Sequence, residues 1–289
     1  MKKNITVIGS TGMIGIPVTQ ELVKAGFNVT ALVRNPDKAK SIFPTGVTFV
    51  NGDLDNKSSI AEALKYAEGL YINISTRAED NEHQFNPEKQ GLDNILEIAK
   101  QAPNLQQIAY LSSFLARNYQ GDWWVFKAKK SSIDRVKNSG IPYTVFYPSN
   151  FMENFASEGM KRGNKVNYIK ASINNKAWWI AGEDFGKIVA NAFKIEKSLN
   201  KEYPVQGPEA LTMQEAAQKF VNGFTKEKLS VGGFPLWIMK FMGFFMPSMK
   251  FVANLMNVML NNIETLEAEN TNQELWKPII TITEFAKKL

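Results

Sequence analysis

The stretch ITVIGSTGMIGIP, residues 5–17, carries glycines at positions 9, 12 and 15. It follows an apolar run and opens a helical pattern, which is the context of a phosphate-binding turn. Gly9 permits the tight turn off a strand, Gly12 lets backbone approach a pyrophosphate, and Gly15 lets the helix sit close on the sheet. The backbone N–H groups of Ser10, Thr11, Gly12, Met13 and Ile14, with the positive end of the helix behind them, attract phosphate charge. A plain strand-to-helix turn is the alternative. The next strand ends in Val33-Arg34, where a site for NAD(H) expects an acid that binds the ribose 2′-hydroxyl. Arg34 is cationic, so it suits a 2′-phosphate and favours NADP(H) over NAD(H), with Lys38 in support. The third strand ends in Gly52-Asp53-Leu54, where Asp53 suits the adenine amino group and Leu54 the ring. The fourth ends in Ile74-Ser75-Thr76-Arg77. All of these are strand carboxyl ends, where such sheets bind ligands.

Other chemistry is limited by composition. The 289 residues include no cysteine, which excludes disulfides, thiolate metal sites and a cysteine nucleophile. One histidine, His83, leaves only carboxylates for a metal, and no metal site is expected. His83 lies in AEDNEHQFNPEK, either as a general acid on a loop over the site or as a solvated loop residue. Glu153 and Asn154 either face the pocket or, for Glu153, sit at the positive end of a helix. Formal net charge is +6, but the lysines (Lys24, Lys57, Lys65, Lys100, Lys187, Lys219) are scattered, so no nucleic-acid stripe is present. The N-terminus lacks an unbroken apolar stretch and a cleavage site, which predicts a cytoplasmic protein.

The elements that must position these residues can be read from the same pattern. Ile5–Ile8, Val29–Val33, Val47–Val50, Leu70–Ile74, Ile108–Leu111 and Tyr143–Tyr147 are short, apolar and β-branched or aromatic. Helical patterns separate them, such as Ile14, Val18 and Leu22, closed by Gly26. Near-continuous apolar strands between helices mean a parallel sheet covered on both faces, a doubly wound α/β fold. After about residue 150 the alternation fades. A helix is expected from Asp184 to Lys194 with Asp184 as N-cap, a strand at Val205–Gly207, and a helix from Thr212 with Glu215 closing a capping box. The Met- and Phe-rich run from Val231 to Leu260 is broken by Pro235, Lys240, Pro247 and Lys250, too often for a membrane span. It suits a pocket wall or a dimer contact, with peripheral membrane contact as the lesser alternative.

At this point the chain resembles the NmrA-like, atypical branch of the short-chain dehydrogenase/reductases. The residues that carry the resemblance are GSTGMIG (9–15), LVRNPDK (32–38), GDLDN (52–56), YLSS (110–113), SGIPYTVFYPSNFMENF (139–155), EDFGKIVANAF (183–193) and GPEALTMQEAA (207–217). The resemblance implies a Rossmann-like NADP(H)-binding domain over residues 1–150. A smaller, mainly helical subdomain over 151–289 would build the substrate pocket, with a strand and helix near 178–194 packing back on the first domain. It also implies that the glycine motif, Arg34, Asp53, Leu54, Ser75 and Thr76 line the cofactor. Pro148, Ser149, Asn150 and Phe151 would lie by the nicotinamide.

The larger superfamily works with Tyr-x-x-x-Lys, in which the lysine lowers the tyrosine pKa and holds the nicotinamide ribose. Here the region reads WWVFKAKKSSIDRVK, with Lys127, Lys129 and Lys130 in competition. The family spacing selects Lys129, but the residue four before it is Val125, and the same step from the other two lysines lands on Trp123 and Phe126. Ser112 and Ser113 follow the fifth strand, either as catalytic hydroxyls or as groups that only satisfy the strand end. Two functions follow from the resemblance. One is an NADPH-dependent reductase of a small, mainly apolar carbonyl, quinone or enone, as in relatives that replace the tyrosine by a lysine. The other is a non-catalytic NADP(H)-sensing regulator. A sugar-nucleotide epimerase is a third, made less suitable by the missing tyrosine. The partners expected are a small-molecule substrate and a second copy of the chain.

Overall fold

The computed structural model describes residues 3–170 and 175–289. Its centre is a seven-stranded, all-parallel sheet. The strands are β1 (Asn4–Ile8), β2 (Asn28–Val33), β3 (Val47–Asn51), β4 (Gly69–Ile72), β5 (Gln107–Leu111), β6 (Tyr143–Pro148) and, after three short strands, β10 (Lys201–Val205). Their order across the sheet is β10-β6-β5-β4-β1-β2-β3. Chain direction therefore reverses its march between β1 and β4, which is the topological switch point of a doubly wound sheet. Six of the strands match the apolar runs in the sequence within two residues, and β4 and β5 are buried along their whole lengths.

Helices cover both faces. On one side α1 (Gly15–Lys24) packs Val18 and Leu22 against Ile5 and Val7 of β1. On the other, α3 (Lys57–Leu64), α4 (Leu92–Ala99) and α6 (Trp124–Lys137) cover Ile8, Leu70, Ile72 and Tyr110. Successive strand residues thus face opposite helical layers, as the period of two requires. The short helices α2 (Pro36–Ile42) and α3 start under Asn35 and Asn56, whose side chains accept from the N–H groups of Lys38 and Ser59.

Past residue 150 the chain builds a second, smaller core but also returns to the first. Helix α7 (Gly182–Ala192) lays Phe185, Ile188 and Val189 on the α1 side of the sheet, and β10 then extends that sheet beside β6. The expected strand near Val205 lies earlier, at 201–205, because those are the residues that pair with β6. Asp184 is not an N-cap. Ala181 occupies that place, and the buried Asp184 carboxylate instead accepts from Trp276 Nε1 and the N–H groups of Ile279 and Ile280, at 2.8–2.9 Å. A helix start offers free donors, but a chain end 95 residues away claims this carboxylate first.

The second core joins α8 (Met213–Gly223) and α12 (Ile282–Lys288) to small sheets, one of β7 (Lys161–Arg162), β8 (Lys165–Lys170) and β12 (Ser230–Pro235), the other of β9 (Ala177–Trp179) and β11 (Glu209–Leu211). Phe155, Trp179, Phe220 and Phe285 are its large side chains. Both α8 and α12 begin with complete capping boxes, Thr212/Glu215 and Thr281/Glu284. Between them run α9 (Leu236–Met242), α10 (Pro247–Leu260) and α11 (Glu269–Glu274); α5 (Phe114–Arg117) is a single turn after β5. Among the described residues no helix is long and apolar enough to cross a membrane.

Candidate functional site

Parallel strands put the loops after β1 to β6 along one edge of the sheet, and the residues singled out in the sequence gather there. The three glycines of the first loop answer to different constraints. Gly9 has a φ of +84°, and a Cβ there would lie 1.9 Å from the Asn73 carbonyl oxygen, at the end of the neighbouring β4. Gly15 opens α1, and its Cβ would lie 1.9 Å from the Gly9 carbonyl oxygen. Gly12 has ordinary dihedrals, and its nearest neighbour for a Cβ is 3.4 Å away, so nothing in the chain itself demands glycine there. Thr11, Gly12 and Met13 are exposed at the tip, while Ser10 and Ile14 are buried beneath it. The Ser10 hydroxyl has no hydrogen-bond partner among the described residues.

Arg34 and Lys38 are exposed beyond β2, and neither forms an ion pair among the described residues. After β3, the Asp53 carboxylate accepts from the Leu54 N–H at 2.7 Å, and Leu54 is packed under the loop with its carbonyl held by Asn94. After β4, Ser75 and Arg77 are exposed, with Arg77 near Glu79, but Thr76 turns inward. Its hydroxyl donates to Glu88 at 2.7 Å and its N–H reaches the same oxygen at 3.2 Å.

Glu88 is a residue that sequence reasoning missed. It lies on a π-helical turn, Pro87–Gly91, that leads into α4, and its side chain is fully buried. Its second oxygen pairs with the ammonium of Lys129, whose side chain is only 12% exposed. The rival lysines point elsewhere: Lys127 pairs with Asp122 in solvent, and Lys130 donates to the Tyr119 carbonyl. Tertiary structure thus turns Lys129 alone of the three inward, toward the carboxyl end of β4. Burial pulls its pKa down, but the Glu88 charge, Tyr110 and the hydrogen bond to Glu88 outweigh that, and the net shift is upward. Lys129 is therefore a fixed positive charge at neutral pH rather than a ready proton donor. The residue four before it, Val125, packs in a cluster with Ala116, Phe126 and Val258. No hydroxyl can be offered from that position.

Ser112 and Ser113 part company after β5. Ser113 caps α5, its hydroxyl accepting from the Leu115 N–H. The Ser112 hydroxyl is buried and has no partner among the described residues. Pro148 ends β6; Ser149 donates from its hydroxyl to Glu264 at 2.8 Å, Asn150 holds the Ile180 N–H through its carbonyl, and Phe151 stacks edge-on against Phe185. His83 is exposed on its loop.

Beyond the end of β6 opens a cavity of about 490 Å³, with Asn150 and Leu115 on the sheet side, Trp179, and Met256, Met259 and Leu260 of α10 on the other. The Met-rich run therefore supplies a wall. Among the described residues lining it, Glu264 is the one carboxylic acid. Its oxygens accept from Ser149 and Gln206, yet burial prevails and raises its pKa to about 6. Nothing local marks it in the sequence, because its partners are 115 and 58 residues away.

Glu153 takes the second of its two expected roles. Its Oε1 accepts from the Gly182 N–H, the first of α7, at 2.7 Å, while Oε2 is buried without a partner. Burial raises its pKa to about 7, only partly offset by that N–H and its own. The native state thus keeps a proton that the unfolded chain has released, so this group's contribution declines as pH rises from about 4.5 through 7. Glu153→Gln should keep the Gly182 bond and remove the decline. Melting curves should show the variant equal to wild type at pH 4.5 and more stable at pH 8, by about 1–3 kcal/mol. Equal pH dependence in both proteins would contradict this.

Residues 1–286 match the family model described as "NmrA-like family". Among curated proteins, the chain is similar to an NAD(P)H azoreductase of Xenophilus azovorans, 24% identical over 74% of this chain and 71% of the other. Among solved structures, it superposes on the Citrobacter sp. triphenylmethane reductase complexed with NADP(H), with a TM-score of 0.76, 19% identity and 99% coverage of both chains. An Escherichia coli NADPH-dependent quinone oxidoreductase complexed with NADPH gives a TM-score of 0.72 at 19% identity, covering 98% of this chain and 99% of the other.

Proposed function

The chain belongs to the NmrA-like family, and on that premise we propose that it is an NADPH-dependent reductase of a small, mainly apolar carbonyl, quinone or enone. The observation that carries the reading is the alignment along one sheet edge of the glycine turn, Arg34 and the buried Lys129–Glu88 pair, with a cavity beyond β6 that joins methionine, leucine and tryptophan side chains to polar ones such as Lys170, Lys176 and Glu264. The similar proteins named above are an azoreductase, a triphenylmethane reductase and a quinone oxidoreductase, which agrees with it.

The residues present fit a dinucleotide phosphate. The Gly9–Gly15 turn leaves open backbone at Gly12, and among the described residues the Ser10 and Ser112 hydroxyls have no hydrogen-bond partner and Arg34 forms no ion pair. When bound, NADPH supplies a hydride to the acceptor. Gly12 and its neighbours would hold the pyrophosphate, Arg34 and Lys38 the 2′-phosphate, Asp53 and Leu54 the adenine. Lys129 would hold the nicotinamide ribose and stabilise negative charge growing on the acceptor oxygen. Glu264, whose pKa burial raises to about 6, or a water in the cavity would supply the proton that completes the reduction. Residues 151–289 act in this reading as the substrate-pocket subdomain.

Purified protein incubated with NADPH and a quinone and enone panel should consume NADPH, read at 340 nm; no loss above background across a broad panel would contradict the proposal. Arg34→Asp should lower NADPH affinity about 10–100-fold while leaving NADH affinity unchanged or improved, since a charged hydrogen bond is exchanged for repulsion. An unchanged ratio of the two affinities would remove Arg34 from the site.

The buried Val125 supports a second reading, a dinucleotide sensor that does not turn over. Tight NADP(H) binding without consumption, and a partner that binds one redox form only, would favour it. Binding of the partner regardless of cofactor would count against it.

A further inference from the structure

The hairpin of α9 and α10 is apolar on both sides. Its inner side buries Met239, Ala253 and Met256, the last of which lines the cavity. Its outer side and tip leave Trp237 69%, Phe241 61%, Phe244 84% and Phe245 77% exposed. Soluble surfaces rarely group so many large apolar side chains, and such a patch marks a site of interaction. The tip is also closed on itself. The N–H groups of Gly243, Phe244, Phe245 and Met246 all donate to carbonyls of α9, at 2.9–3.2 Å. Gly243 sits so close to α10 that a Cβ would lie 3.0 Å from the Lys250 Cα. A turn whose backbone donors are already satisfied can enter an apolar medium without leaving them bare.

Charge tells what the medium is. No aspartate or glutamate occurs between Glu227 and Glu264, whereas Lys228, Lys240 and Lys250 do. Lys240 and Lys250 are exposed beside the aromatic tip and form no ion pair among the described residues. A second copy seated on this face in a twofold dimer would bring lysines against lysines, with no acid in the segment to pair them. An anionic lipid surface offers the complement of both features, phosphates for the lysines and an acyl boundary for tryptophan and phenylalanine.

We propose that the α9–α10 hairpin docks the protein on anionic bilayers, with Phe244 and Phe245 inserted at the headgroup boundary and Lys240 and Lys250 on the lipid phosphates. Docking is peripheral, since α10 spans only 14 residues. It does not depend on turnover, so it stands or falls separately from the redox reading.

The test is co-sedimentation of the full chain with phosphatidylcholine vesicles, with and without phosphatidylglycerol. Binding is expected to the phosphatidylglycerol vesicles, to weaken with salt, and to move tryptophan emission to shorter wavelength. The double variant Phe244→Ser/Phe245→Ser should lower the partition coefficient about tenfold or more with melting temperature unchanged, because both rings are exposed in the free protein. Lys240→Gln/Lys250→Gln should remove the preference for phosphatidylglycerol. Absence of vesicle binding, or binding indifferent to the phenylalanine changes, overturns the proposal. So does a concentration-dependent dimer in sedimentation equilibrium that the phenylalanine changes abolish while vesicles go unbound, because the patch is then a self-interface.

Discussion

A Lys129→Met/Glu88→Gln double variant should be folded and nearly inactive, with kcat/KM for NADPH-driven quinone reduction down by about 10²–10³-fold. Lys127→Ala, by contrast, should match wild type, because its ammonium pairs with Asp122 in solvent. The double change is needed for a physical reason. Glu88 is wholly buried, so removing Lys129 alone strands an unpaired carboxylate and costs about 3–5 kcal/mol, whatever the lysine does in catalysis. Glutamine at 88 still offers an oxygen to the Thr76 N–H and hydroxyl, and methionine fills the volume of the lysine stem. If the double variant melts near wild type and retains activity, the pair is architectural and Lys129 does not touch the cofactor. If Lys127→Ala removes activity instead, the wrong lysine has been assigned.

Gly9→Ala and Gly12→Ala should fail in different ways. At Gly9 the methyl group meets the Asn73 carbonyl and the backbone must keep a φ of +84°. Strain and overlap together should cost about 2–5 kcal/mol of stability, seen as a lowered melting temperature before any ligand is added. At Gly12 a methyl group meets only ordinary contact, so the fold should lose little. What it does obstruct is the open face of the turn. Losing one charged hydrogen bond to a phosphate should weaken NADPH binding about 10–100-fold, measured by titration at constant melting temperature. A Gly12→Ala protein that binds NADPH as wild type would mean that the turn does not approach a pyrophosphate.

Much of the fold is legible in the sequence because its signals are local. Six strands of the central sheet, the turn after β1, the caps at Thr212 and the change of character past residue 150 each depend on residues within a few positions of one another. Burial on both faces of a parallel sheet writes itself as an unbroken apolar run, and a capping box writes itself as Thr and Glu three apart. The cofactor reading is of the same kind, since Gly9, Gly12, Gly15 and Arg34 are placed by two adjacent strands.

The site's electrostatics are not local. Which of three neighbouring lysines turns inward depends on Glu88, 41 residues earlier on an irregular turn. Glu264 reaches the cavity because Ser149 and Gln206 hold it there, and Glu153 finds its donor on a helix 29 residues on. Asp184 looks like a helix cap and is a clamp on the C-terminal segment instead. A carboxylate has no period and no neighbours that announce its partner, and its buried pairing is set by whichever donor the packed layers bring within reach. The sequence alone determined the sheet and the glycine turn after β1, and placed a cation, Arg34, at the end of β2. Only the tertiary structure decided which lysine turns inward to a buried carboxylate, which carboxyls burial raises in pKa, and that the Met- and Phe-rich segment both walls the cavity and leaves an aromatic tip outside it.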